Sequence, residues 1–124
     1  MDFIATNDAP KAIGPYSQAV RVNGVLYTSG QVALDPATGE LVGSDFTAQT
    51  RRVFENLTAV LKEAGADFSK VVKATVFVTD LSNFGTLNAI YAEYMGDHKP
   101  ARTTVQVSGL PKGALVEIDL VAVL

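Results

Sequence analysis

Apolar residues recur along the chain with two different periods, and the switches between them divide it into elements. "QAVRVNGVLYTSG" holds two short β-rich runs joined by Asn23-Gly24, a dipeptide that readily takes the positive φ angles of a two-residue hairpin turn. Strands are therefore expected at Ala19–Val22 and Val25–Ser29. After the turn-rich "LDPATGE", Phe46, Val53, Leu57, Val60, Leu61 and Ala64 fall at helical spacing. That spacing predicts a helix from Phe46 to Ala64, with Ser44 or Asp45 as cap and Gly65 as stop. "VVKATVFVTD" reads as a strand. "SNFGTLNAIYAEYMG" reads as a second helix, capped by Ser82 or Asn83 and ended by Gly96, with Phe84, Leu87, Ile90, Tyr91 and Tyr94 on one face. Two strands, Arg102–Val107 and Leu115–Val123, close the chain. The sum is an α+β fold, about six strands in a mixed sheet with two helices.

Two helices can cover only one face of such a sheet. Yet Val72, Ala74, Val76 and Val78 form one row of the fourth strand while Val71 and Phe77 lie in the other. In the last strand Val116, Ile118 and Leu120 oppose Leu115, Val121 and Val123. Both faces want burial. An exposed apolar patch of several hundred Å² is rare on a monomer, so the pattern predicts association between chains.

Composition changes this picture mainly by exclusion. With 124 residues, 48% of them hydrophobic, and no repeat or linker-like break, one globular domain spanning residues 1–124 is expected. A formal charge of −3 and ten dispersed Lys and Arg argue against a nucleic-acid surface. The N-terminus lacks a basic stretch followed by an apolar run, and nowhere do about 18 apolar residues run uninterrupted, so a cytoplasmic protein without a membrane partner is expected. The absence of cysteine excludes disulfides, thiolate metal sites and a cysteine nucleophile. The single histidine, His98 in "GDHKP", reads as a surface loop residue, and the scattered acids predict no metal site. No Gly-x-Ser-x-Gly elbow or phosphate-binding glycine motif occurs.

What remains is a set of polar residues in apolar surroundings. Glu117 and Asp119 share a side of the last strand with Leu115, Val121 and Val123, and a partly buried carboxylate needs partners. Arg102 begins the preceding strand. Pairing of those two strands as a hairpin across "SGLPKG" would bring its guanidinium to Glu117. Two readings follow: a structural ion pair, or an Arg102 whose planar fork receives a ligand carboxylate, a bidentate match that lysine cannot imitate. "IGPYSQAV" poses the same choice between a turn with Tyr16 as a half-buried anchor and a piece of a site. "TSGQ" poses it too, its plain reading being a strand end broken at Gly30, and Asn88 interrupts a helix-forming run.

Taken in order, "AIGPYSQAV", "LYTSGQV", "NLTAVLKEAG", "VVKATVFVTDLSNF", "LNAIYAEYM" and "PARTTVQVSGLPKGALVEIDLVAV" resemble the reactive intermediate deaminase family of the RidA/YjgF type, over nearly the whole chain from about Ile4 to Val123. The most specific pieces are Gly-Pro-Tyr, Ser-Gly-Gln, Pro-Ala-Arg and the terminal Leu-Pro…Val-Glu-Ile. The resemblance implies a chorismate-mutase-like fold with two helices on one face of the sheet, assembled as a homotrimer with active sites in clefts between subunits. It implies hydrolysis, without a cofactor, of enamines and imines such as 2-aminoacrylate, 2-iminobutanoate and 2-iminopropanoate to 2-keto acids and ammonia. Position by position, it implies that Arg102 clamps the substrate carboxylate and that Glu117 orients the attacking water or passes its proton. Tyr16, Ser29, Gly30 and Asn88 would hold the substrate and its nitrogen, and the backbone carbonyl of Thr104 would contact the water. Two positions depart from the pattern: Lys99 stands where relatives often carry an aromatic, and Thr104 where they often carry Cys. Lys99 pointing inward would add positive charge to the cleft. The alternatives are a non-catalytic sensor of keto acids or amino acids and an RNA-cleaving translation inhibitor, the latter disfavoured by the acidic balance.

Overall fold

Asn23 and Gly24 both take positive φ, 52° and 75°, in the computed structural model, which describes residues 1–124. The tight turn they form joins β2 (Ala19–Val22) to β3 (Val25–Thr28), and β1 (Asp2–Ile4), a strand too short to read from the pattern, pairs antiparallel with β2. The chain continues through α1 (Phe46–Glu63), β4 (Val71–Val78), α2 (Phe84–Met95), β5 (Ala101–Gln106) and β6 (Val116–Val123). All six strands form one mixed sheet in the order β1-β2-β3-β6-β4-β5, antiparallel except for the parallel pair of β4 and β5. No helix is long and apolar enough to cross a membrane.

The position of β6 corrects one expectation. β5 and β6 do not form a hairpin across "SGLPKG"; β6 enters between β3 and β4, and β5 is left on the edge beyond β4. The reason lies in the side chains. Val116, Ile118, Leu120 and Ala122 make every second position of β6 fully apolar and buried, which suits a central strand, whereas β5 carries Arg102, Thr103, Thr104 and Gln106 and tolerates an edge.

α1 packs on the sheet through Val53, Phe54, Leu57, Val60 and Leu61, all fully buried, and α2 adds Leu87 and Ile90. Asp45 caps α1 by accepting a hydrogen bond from the Ala48 N–H at 2.8 Å. For α2 the expected side-chain cap is absent. A 3₁₀ turn over Leu81–Asn83 runs directly into the helix, so Asn83 is not extended, and Asp80 does the capping by accepting from the Ser82 N–H at 2.9 Å.

A β-bulge between Val71 and Lys73 corrects the row assignment in β4. It turns Val72 out to solvent and places Val71 with Ala74, Val76 and Val78 against the helices. The bulge has a clasp: the His98 ring Nε2 lies 2.6 Å from the Val71 carbonyl oxygen and donates to it. His98 is thus half-buried and holds the loop before β5, rather than being a free surface residue.

The face away from the helices carries Phe3, Val20, Tyr27, Val121 and Val123 together with Thr75, Phe77, Thr103, Val105, Glu117 and Asp119, as the strand registers require. Phe3, Tyr27, Val105 and Val123 are exposed on it. This is the two-sided demand for burial visible in the sequence.

Candidate functional site

The sequence-predicted residues fall into two groups on opposite faces of the sheet. The first surrounds Glu117 on the open face. After Tyr27, β3 parts from β6, and two contacts span the gap: Thr28 Oγ1 accepts from the Leu120 N–H at 2.9 Å, and Gln31 and Ile118 exchange backbone hydrogen bonds of 2.9 and 3.1 Å. These hold the segment Ser29-Gly30 against Glu117. A methyl group on Gly30 would lie 2.5 Å from Glu117 Oε2, so only glycine leaves the carboxylate its present place.

Ser29 does not present its hydroxyl to the cleft. The hydroxyl donates to the Ser17 carbonyl at 2.6 Å, and the Ser29 N–H donates to the Gln18 carbonyl at 2.9 Å. Ser29 thereby fixes the turn that carries Tyr16, which is itself about half exposed at the cleft mouth. Gln18, not singled out from the sequence, is buried and anchors the preceding loop. Its amide donates to the carbonyls of Thr6, Ala9 and Pro10, and its oxygen accepts from the Thr6 N–H at 2.7 Å. The result is a cleft of about 400 Å³ lined by Tyr16, Gln18, Ser29, Gly30, Glu117 and Asp119 among others, with Lys11 and Lys112 at its rim.

Burial, and then the neighbouring Asp119, push the Glu117 carboxyl above its ordinary range. Burial also raises Asp119, partly offset by a hydrogen bond from Thr75. A carboxyl with a raised pKa holds and releases a proton closer to neutrality, as an acid–base group requires.

The second group lies at the far edge, on the helix side. Arg102 registers with Ala74, a residue buried beneath the helices, and its guanidinium carbon sits 5.4 Å from the centroid of the Phe84 ring and 4.8 Å from that of Tyr91. Thr104 follows two residues later on the same side. Asn88 stands four residues after Phe84 and three before Tyr91, which puts it on the same stripe of α2. Of the four arginines, Arg21, Arg51 and Arg52 are ion-paired with Asp2, Glu93 and Glu55, and Arg102 has no acidic partner. The hydroxyls of Thr104 and Tyr91 are both buried without a hydrogen-bond partner. A buried polar atom in that state points to a missing partner.

Arg102 and Glu117 therefore do not meet within the chain, which removes the reading of an ion pair across a β5–β6 hairpin. Phe84 and Tyr91, expected only as residues on one face of α2, belong to the Arg102 group, and Phe84 is partly exposed. Their Phe-x-x-x-Asn-x-x-Tyr spacing carried the signal, but the arginine they face lies on another element.

The family model described as endoribonuclease L-PSP matches residues 6–124. Among curated proteins, a RutC family protein of Pyrococcus abyssi is 50% identical over 121 residues, covering 98% of this chain and 95% of that one. The 2-iminobutanoate/2-iminopropanoate deaminase of Mus musculus is 49% identical over 120 residues, covering 97% and 89%. Among solved structures, TdcF of E. coli with bound serine superposes with a TM-score of 0.94 at 40% identity, covering 100% of this chain and 99% of that one.

Proposed function

The chain belongs to the endoribonuclease L-PSP family, the RidA/YjgF family of reactive intermediate deaminases, and on that premise we propose that it hydrolyses 2-imino acids and their enamine tautomers, such as 2-aminoacrylate, to 2-keto acids and ammonia. One observation carries the reading: Arg102 is the single arginine without an acid, held at an edge where a ligand carboxylate can reach its fork. The mouse relative bears the name of this activity, and the E. coli relative was solved with an amino acid bound.

In this mechanism the substrate carboxylate binds Arg102, which fixes the position of the adjacent C2. An iminium carbon is already electrophilic and needs only a placed water and a proton carrier. Glu117 takes a proton from water as its oxygen attacks C2 of the iminium, and gives that proton to the nitrogen of the resulting carbinolamine. As the C–N bond breaks and the C=O bond forms, Glu117 takes the remaining hydroxyl proton and passes it to the departing ammonia. The products are a 2-keto acid and ammonium, and Glu117 ends in its starting state. Its raised pKa suits this shuttle. Because Arg102 and Glu117 occupy opposite faces, the working site joins Arg102, Asn88 and Thr104 of one chain to Glu117, Gly30, Ser29 and Tyr16 of its neighbour. A homotrimer with the open sheet faces inward provides three such junctions and covers the exposed apolar residues. RNA cleavage fits less well, since three of the four arginines are engaged by acids and the net charge is −3.

The test couples the protein to a dehydratase that releases 2-aminoacrylate and follows the loss of free imine. The wild type accelerates that loss, and Arg102→Ala lowers kcat/KM by at least about 30-fold, the size expected for truncating one partner of a charged pair. A wild type that leaves the imine lifetime unchanged while binding keto acid is a sensor rather than a deaminase.

A further inference from the structure

Phe84 and Tyr91 are seven residues apart on α2, which is on the order of 10 Å of helix axis at 1.5 Å per residue. The Arg102 guanidinium carbon lies 5.4 Å from one ring centroid and 4.8 Å from the other, so it sits between the two rings, over the turn that carries Asn88. We propose that Tyr91 is a positioning residue for Arg102, its ring forming with Phe84 a two-sided aromatic clamp that holds the guanidinium ready for an anion.

A cation without a counter-ion near a protein surface ordinarily folds onto the nearest carboxylate or carbonyl, which would close an anion site. Aromatic rings avoid this. Their negative faces attract the positive charge through the quadrupole, whereas a carboxylate would occupy the N–H groups directly. The guanidinium donors lie in its own plane and remain available for bidentate binding. Tyr91 is suited to this place because it does not ionise readily: burial raises its phenol, and the Arg102 charge offsets that only in part. A phenolate there would compete with the ligand for Arg102. The ring is itself braced, meeting Phe54 edge to face at 5.9 Å and 77°, and Phe54 is fully buried in the core. Arg102 is thus aligned through Tyr91 by the packing of α1 against α2.

This inference rests on Arg102 being the carboxylate receptor proposed above, and the test separates the two. Pyruvate, a 2-keto acid of the product class, is titrated calorimetrically into the assembled wild type, Arg102→Ala, Tyr91→Phe, Tyr91→Leu and Phe84→Leu. Phe84 is 43% exposed and lies outside the buried core, so its replacement is expected to leave the chain folded. Tyr91→Leu and Phe84→Leu are each expected to weaken pyruvate by about five- to tenfold, the range of one partly desolvated cation–π contact, while Tyr91→Phe stays within about twofold of wild type. In the imine assay the same loss appears in KM, with kcat little changed. Replacement of Tyr91 by phenylalanines of increasing fluorination keeps the shape of the ring while draining its quadrupole, and affinity should fall stepwise along the series. A melting curve for each variant establishes that the chain is folded.

Loss of pyruvate binding in Arg102→Ala with wild-type affinity in Tyr91→Leu and across the fluorinated series overturns the clamp and leaves the receptor standing. Equal loss in Tyr91→Phe and Tyr91→Leu overturns it in favour of a contact made by the hydroxyl. Pyruvate binding that is indifferent to Arg102→Ala overturns the receptor and the clamp together.

Discussion

Arg102 and Glu117 lie on opposite faces of the sheet with β4 between their strands: across β4, Arg102 registers with Ala74 on the helix side and Glu117 with Phe77 on the open side. No choice of rotamer brings the two together, because the hydrogen-bonded backbone of the sheet stands between them. A reaction that uses both must therefore draw them from different chains. The same geometry explains why neither group is satisfied alone: the Arg102 group keeps orphan hydroxyls at Thr104 and Tyr91, and the Glu117 group keeps a carboxyl raised by burial with an acid beside it.

A mixing experiment follows from that division. Arg102→Ala and Glu117→Gln chains, each inactive alone, are unfolded together in equal amounts and reassembled. With every site built from Arg102 of one chain and Glu117 of the next, random assembly leaves about one site in four with both native residues. Imine hydrolysis should return to about a quarter of the wild-type rate. A mixture no more active than the sum of its parts would show that the two residues do not serve one shared site.

Gly30→Ala offers a second, sharper probe of Glu117. The added methyl would meet Glu117 Oε2 at 2.5 Å, the far end of a flexible side chain, so the carboxylate swings aside while the fold is kept. Activity should fall toward that of Glu117→Gln, about 10²-fold, with little change in melting temperature. In the double variant the two losses should not add, because both act on one carboxylate. Full additivity in that cycle would separate Gly30 from Glu117.

Much of the fold was legible because its signals are local. Asn23-Gly24 marked the hairpin, the spacing from Phe46 to Ala64 marked α1, and the alternation in β6 placed Glu117 and Asp119 on the face opposite Ile118 and Leu120. The misplaced features are those set by long-range pairing. Nothing near "SGLPKG" says that β6 inserts beside β3 rather than folding back on β5, and the bulge that turns Val72 outward is fixed by the register with β6 and braced by His98. For the candidate site, the resemblance supplied candidate residues but not their grouping. Their separation onto opposite faces of the sheet became visible only with the strand order, as did the anchoring of the loop by Gln18 and the contact of Tyr91 with Arg102, whose partners lie on other segments of the chain.

Asp119 gives the pH dependence a definite sign. Burial raises its carboxyl above the ordinary value of 3.8, so folding favours the protonated form. The stability it contributes is present below that ordinary value and is lost as pH rises through the raised one. Asp119→Asn removes the charge that the fold disfavours. Its melting temperature should exceed that of wild type near pH 7, with the difference closing as pH falls into the carboxyl range. The same substitution acts on catalysis, because Asp119 is the second cause, after burial, of the raised Glu117 pKa. With that charge gone, the acid limb of the imine-hydrolysis profile should move to lower pH. The cations at the cleft, Lys11 and Lys112, are the same in both proteins, as is Lys73 on β4, and they do not mask the change. An unmoved limb, measured with a dehydratase active across the range or with preformed imine, would mean that Glu117 is not the group whose ionisation controls the rate.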